Sequence, residues 1–120
     1  MTESVSVWRA PGWSGIELHR GTTVTRDVPR HCHEDYQLCL VERGSGELFY
    51  RRAFHPNPSW SLFVVHPGEV HSNRATADEG CTYRVVNADP ELFRTAFRNM
   101  GAAHRGLPFF SSPVLLDRDV

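Results

Sequence analysis

The sequence predicts an all-β fold, a sandwich or barrel of short strands, followed by one helix near the C-terminus. Two observations predict it. Between Gly15 and Asn87, β-prone runs are cut at close spacing by Gly21, Pro29, Gly44-Ser45-Gly46, Pro56-Asn57-Pro58 and Pro67-Gly68, the pattern of a many-stranded domain. A full set of helix signals occurs once, between Asp89 and Gly101.

The elements follow in order. Residues 1–14 hold Trp8 and Trp13 beside Pro11 and Gly12, too irregular for a helix, and are expected to form an extended arm that lays aromatics on a surface. Residues 15–88 are expected to form the barrel. Ile16, Leu18 and Arg20 alternate with Glu17 and His19, Gly21 interrupts, and Thr22 to Val28 is β-branched at alternate positions. A run from His31 to Val41 reads as one strand, ended by Gly44-Ser45-Gly46 as a hairpin turn. Glu47 to Phe54 returns, Pro56-Asn57-Pro58 turns, and Trp60 to His66 and Cys81 to Asn87 complete the set. Leu62 to Val65 is apolar at every position, which implies burial on both faces.

Residues 89–120 are read as helix and extended tail. Asp89 supplies an N-cap, Pro90 takes the first helical position, and Glu91 favours the positive dipole end. Leu92, Phe93, Ala96, Phe97 and Met100 fall on one stripe, and Gly101 stops the helix. That stripe requires either the sheet or a second protomer to cover it. We expect a homodimer.

Composition excludes several classes. At 120 residues the chain has material for one core. A formal net charge of −1 argues against a nucleic-acid-binding surface spread over it. There is neither a signal-like N-terminus nor an apolar run of the roughly 20 residues a membrane helix needs. No membrane partner is expected, and the expected location is cytoplasmic. Cys32, Cys39 and Cys81 are an odd number without a CxxC pair, which fits reduced thiols.

The chemistry lies in the histidines. His31-Cys32-His33 places two imidazoles on one face of a strand, because side chains alternate with period two. About forty residues on, His71 follows Pro67-Gly68 by a short turn. Converging in a barrel, the three match a three-His site for zinc, nickel or a similar borderline ion. Such a site would lose its ion as acid protonates the rings near their usual pKa of about 6.5. On the strand as read, Asp35, Gln37 and Cys39 share the histidine face, while Tyr36, Leu38 and Leu40 share the other.

Two stretches carry a family resemblance. His31 to Gly46 (His-Cys-His-Glu-Asp-Tyr-Gln-Leu-Cys-Leu-Val-Glu-Arg-Gly-Ser-Gly) resembles the first conserved box of cupins, in the wording of AraC-type sensor domains. Val65-His66-Pro67-Gly68-Glu69-Val70-His71-Ser72 resembles the second. Thr82-Tyr83-Arg84 and Asp89-Pro90-Glu91-Leu92 look like the strand and helix that follow. The resemblance implies a double-stranded β-helix jelly roll holding a small effector, usually dimeric, with DNA read by two helix-turn-helix motifs beyond it. It implies metal positions at His31, His33, Gln37 and His71. With Cys39 on the histidine face and Trp60 able to cap the barrel mouth, the expected ligand site is His31, His33, Gln37, Cys39, Trp60 and His71.

Two departures matter. Gln37 stands where metal cupins place a glutamate, so an anionic ligand is missing. Trp60-Ser61 stands where the second box normally opens with glycine, and Trp60, Trp8 or Trp13 could close over the pocket. No helix-turn-helix follows the helix. The chain is therefore expected to be a regulator's sensing and dimerisation domain without its DNA-binding half, or a free-standing sensor. The competing readings are a metal-dependent cupin enzyme (dioxygenase, isomerase or sugar-modifying) and a dimerisation domain with a vestigial pocket. Gln37 and the regulator-like wording favour sensing without catalysis.

Overall fold

The computed structural model describes residues 4–23, 27–101 and 106–116. They form ten strands and one helix in two facing antiparallel sheets. The strands are β1 (Ser4–Arg9), β2 (Ile16–Thr23), β3 (Asp27–His31), β4 (Tyr36–Gly44) and β5 (Gly46–Tyr50), then β6 (Ala53–Asn57), β7 (Ser61–Val65), β8 (His71–Ala75), β9 (Cys81–Ala88) and β10 (Val114–Leu116). The helix α1 spans Pro90–Asn99. One sheet runs β1-β2-β9-β4-β7-β10 and the other β3-β8-β5-β6.

Between the sheets lies a core of Cys39, Leu48, Tyr50, Phe63, Val65 and Val85. Its members follow strand parity. Cys39 pairs across with Phe63 and Val85, so alternate residues of β4, β7 and β9 project inward together.

Four local readings of the sequence are corrected. Gly21 does not interrupt β2, which continues through it to Thr23. A side chain at position 21 would land 2.5 Å from the Tyr83 hydroxyl of its cross-strand partner, so glycine is there for the ring. His31 to Val41 is not one strand: β3 ends at His31, β4 starts at Tyr36, and His33 lies on the connector. Gly44-Ser45-Gly46 is not a hairpin but a corner, since β4 and β5 belong to different sheets.

The hairpin lies instead at Arg51-Arg52, with φ of 52° and 63°, joining β5 to β6. Both central residues are left-handed, as a two-residue hairpin turn of this hand requires, yet neither is Gly or Asn. Pro56 and Asn57, expected to turn, are the end of β6. Within the Thr22–Val28 run, residues 24–26 lie outside the described part.

The flanks contribute to the sheet as well. The arm supplies β1, paired in register with β2, and the tail supplies β10 against β7. The helix behaves as its sequence signals require: Asp89 accepts a hydrogen bond from the Glu91 amide at 2.9 Å, and Gly101 has φ of 73°. None of its residues is fully buried. Phe93 packs on Tyr36 with ring centroids 4.6 Å apart, whereas Met100 is 74% exposed.

Candidate functional site

His31 ends β3, and His71, its cross-strand partner, begins β8. His33 reaches them from the connector, whose carbonyl accepts the Gly68 amide at 2.8 Å. The Pro67-Gly68 turn thus clamps the connector beside β8. The ring centroids are 4.3 Å apart for His31–His71, 4.9 Å for His33–His71 and 5.8 Å for His31–His33. The sequence-level expectation of convergence holds, although His33 comes from a connector rather than from the strand of His31.

Each ring is held in the same way. His31 Nδ1 lies 2.7 Å from the Pro29 carbonyl, His33 Nδ1 3.0 Å from that of Asp35, and His71 Nδ1 3.1 Å from that of Glu69. A carbonyl can only accept, so each Nδ1 carries the proton and each Nε2 presents a lone pair. For His33 and His71 that Nε2 is buried and has no hydrogen-bond partner. Burial, reinforced by His31 and His33, holds the His71 pKa down to about 4, so its imidazole is neutral at neutral pH.

One ligand atom from each ring lies within 4.8 Å of the others. Tetrahedral zinc with nitrogens at about 2.0–2.1 Å would draw them to about 3.3–3.5 Å. The donor set fits a borderline ion: rings oriented by carbonyls through Nδ1, with orphaned Nε2 atoms on His33 and His71, are what metal histidines require.

The cluster borders a cavity of about 180 Å³ between the sheets, and His31 lines it. Gln37 and Cys39 line the same cavity. Burial pushes the Cys39 thiol well above its ordinary pKa, so it is an uncharged wall. Gln37 is 3.4 Å from Asn87, donating to its Oδ1. Asp35 contributes its carbonyl to His33.

Trp60 does not line the cavity. Its neighbour Ser61 is the buried, inward residue, so Trp60 projects the other way, 60% exposed. It borders a surface hollow with Ser6, Arg20 and Glu42. Trp8 sits opposite Leu18 on the outer face, and Trp13 is 63% exposed; neither lines the cavity.

Sequence reasoning missed three histidine-linked features. His19 and Asn57 line the cavity, and His66 anchors the tail. His66 Nε2 accepts the Phe110 amide at 2.9 Å, and its Nδ1 meets the Tyr50 hydroxyl at 3.0 Å. Tyr50 in turn donates to Glu69, which also takes Arg51 at 3.1 Å. Arg51 donates to the Phe110 carbonyl at 3.2 Å, and the Tyr36 hydroxyl donates to that of Pro108 at 2.7 Å. Parity in β2 was the available signal for His19. Nothing local marks His66, whose partners Tyr50 and Phe110 lie 16 and 44 positions away.

Comparison with known proteins gives the family. The sequence profile described as the AraC-like ligand binding domain matches residues 14–120. The chain belongs to the AraC-like ligand-binding domain family. A curated relative, an uncharacterized HTH-type transcriptional regulator of Bacillus subtilis, is 27% identical over 107 residues, covering 88% of this chain. The AraC-like domain spans 38% of that relative's length.

Solved structures show the cupin fold. A Cupin 2 conserved barrel protein from Salinispora arenicola matches with TM-score 0.64 at 20% identity, over 80% of this chain and 84% of that one. An RmlC-like cupin from Desulfovibrio desulfuricans matches with TM-score 0.59 at 20% identity, over 72% and 81%. The expected jelly roll stands, and the family is one of ligand-binding domains. No helix among the described residues is long and apolar enough to cross a membrane.

Proposed function

We propose that this domain binds a small polar effector in the cavity beside the three imidazoles, in the cytoplasm, and performs no turnover. The observation that carries the reading is the pair of buried, partnerless Nε2 atoms of His33 and His71, in a cluster whose third ring, His31, lines that cavity. His31, His33 and His71 would hold zinc or nickel. When bound, such an ion supplies Lewis acidity and positive charge to a ligand oxygen. Cys39 belongs to the effector's walls, and Gln37 lines the cavity at the position the family resemblance gives to a metal ligand. DNA contact, on this reading, is made by residues outside this chain.

The test is a thermal-shift screen of sugars, small acids and amines, with elemental analysis of the purified protein. A ligand at a hundredfold excess over its dissociation constant should add about 2.7 kcal/mol of stability, and His71→Ala should abolish the hit. Product formed from a screened compound at a metal-dependent rate would instead support the enzyme reading, which draws on the same three imidazoles.

Gln37→Glu tests the missing anionic ligand. Restoring a carboxylate should tighten zinc binding by roughly tenfold or more, read by competition with a chelator. Equal affinity in the two proteins would place Gln37 outside the coordination sphere.

The homodimer is proposed through α1. Phe93 and Phe97 are only half-buried and Met100 is exposed, so the stripe is incompletely covered within one chain. Phe97→Glu should yield a folded monomer, seen by light scattering with unchanged circular dichroism. A wild-type monomer at high concentration would refute the interface.

A further inference from the structure

The cavity has a second polar wall. Glu17 and His19 point inward on β2, Asn87 on β9 and Gln37 on β4, successive positions across one sheet. Glu17 Oε1 lies 2.6 Å from His19 Nε2. Hydrogen bonding from His19 helps hold the Glu17 carboxyl below its usual pKa, so the carboxylate accepts and His19 Nε2 donates. Asn87 hydrogen-bonds the same Glu17 carboxylate, and Gln37 donates to Asn87 Oδ1 at 3.4 Å. Glu17 thus orients the imidazole through Nε2 and leaves Nδ1 for a ligand hydroxyl.

Deeper in the same cavity, Asn57 is 2% exposed and its Nδ2 has no partner, and neither has Thr23 Oγ1. Such orphaned groups are costly unless a ligand or water meets them. The walls therefore offer hydrogen bonds to hydroxyls.

Charge decides the rest. Among the described lining residues the one cation is Arg74, and it is engaged 3.0 Å from Glu47. Glu17 and Glu69 are likewise held, by His19 and by Arg51. An ion held by the three imidazoles would have no carboxylate among its protein ligands. A ligand that brings its own anion offsets the ion's charge best.

We infer that the effector is a small hydroxy acid, its carboxylate directed to the three-imidazole cluster and its hydroxyl to His19 and Gln37, with Glu17 positioning His19 and Asn87 positioning Gln37. This rests on the metal-and-effector reading above.

The experiment is calorimetry on zinc-loaded and chelator-stripped protein with three matched probes: lactate, propionate as the hydroxyl-free acid, and glycerol as the charge-free polyol. Lactate should bind the loaded protein roughly tenfold tighter than propionate, one charge-assisted hydrogen bond's worth, and should not bind the stripped protein. His19→Leu should bring lactate to the affinity of propionate while leaving propionate unchanged. Glu17→Gln should lower the lactate preference and Glu17→Asp retain part of it, with unfolding midpoints measured alongside.

Equal lactate and propionate affinities, no acid binding by the loaded protein, or tighter binding of glycerol than of lactate would each overturn the inference. With a hit from the wider screen, those results would leave the sensing reading standing. A protein that takes up neither zinc nor any screened compound would remove both.

Discussion

Replacing His71 with alanine is expected to abolish zinc-dependent stabilisation. His71 is fully buried, its Nδ1 is fixed by the Glu69 carbonyl, and its Nε2 faces the cluster without a partner. Removing it leaves two imidazoles, one on a strand end and one on a connector. Loss of an outer hydrogen-bond partner alone typically costs about 10–100-fold in metal affinity, and loss of a ligand should exceed that. At zinc a hundredfold above its dissociation constant, the wild-type domain should gain about 2.7 kcal/mol and the variant nothing. Chemical denaturation with and without zinc measures both. The metal-free variant also shows what the truncation itself costs. Equal zinc affinity in the two proteins would remove His71 from the site.

Gly44→Ala should be among the most damaging single substitutions in the chain. Gly44 has φ of 77° at the corner where the polypeptide leaves one sheet for the other. A Cβ there would lie 1.9 Å from the Gly80 carbonyl oxygen, which belongs to backbone and cannot swing aside. Left-handed backbone costs a non-glycine residue about 1–2 kcal/mol, and the clash adds to it. A loss of about 4 kcal/mol or more is expected, in the rare tail of point substitutions and a large part of the 5–15 kcal/mol typical of a domain. Gly68→Ala is the control: its φ is 76°, but no atom lies within 4 Å of the added carbon. It should show the strain alone. Urea melts that give equal losses for the two would refute steric crowding at the corner.

The sequence by itself determined the fold class, the helix and the membership of the three-histidine set. Helix signals are local: Asp89, Pro90 and Gly101 act on adjacent backbone groups, so they are legible without tertiary context. Turns that use Gly or Pro, such as Pro67-Gly68, are legible for the same reason.

Tertiary structure decided the rest. Arg51-Arg52 turns without glycine while Arg51 is tied to Glu69 and Phe110, contacts no local pattern announces. Gly21 sits within a strand because Tyr83, 62 residues later, occupies the space above it. Strand parity was right for Gln37 and Cys39, which lie within β4, and mistaken in its route for His31 and His33, which a connector separates. Trp60 was assigned to the cavity by its place in a motif, yet it stands in the turn before β7 with φ of 66° and is exposed. Burial is a property of the assembled sheets. It follows that the His19 wall, the Asn57 orphan and the His66 anchor became visible only when distant strands were brought together.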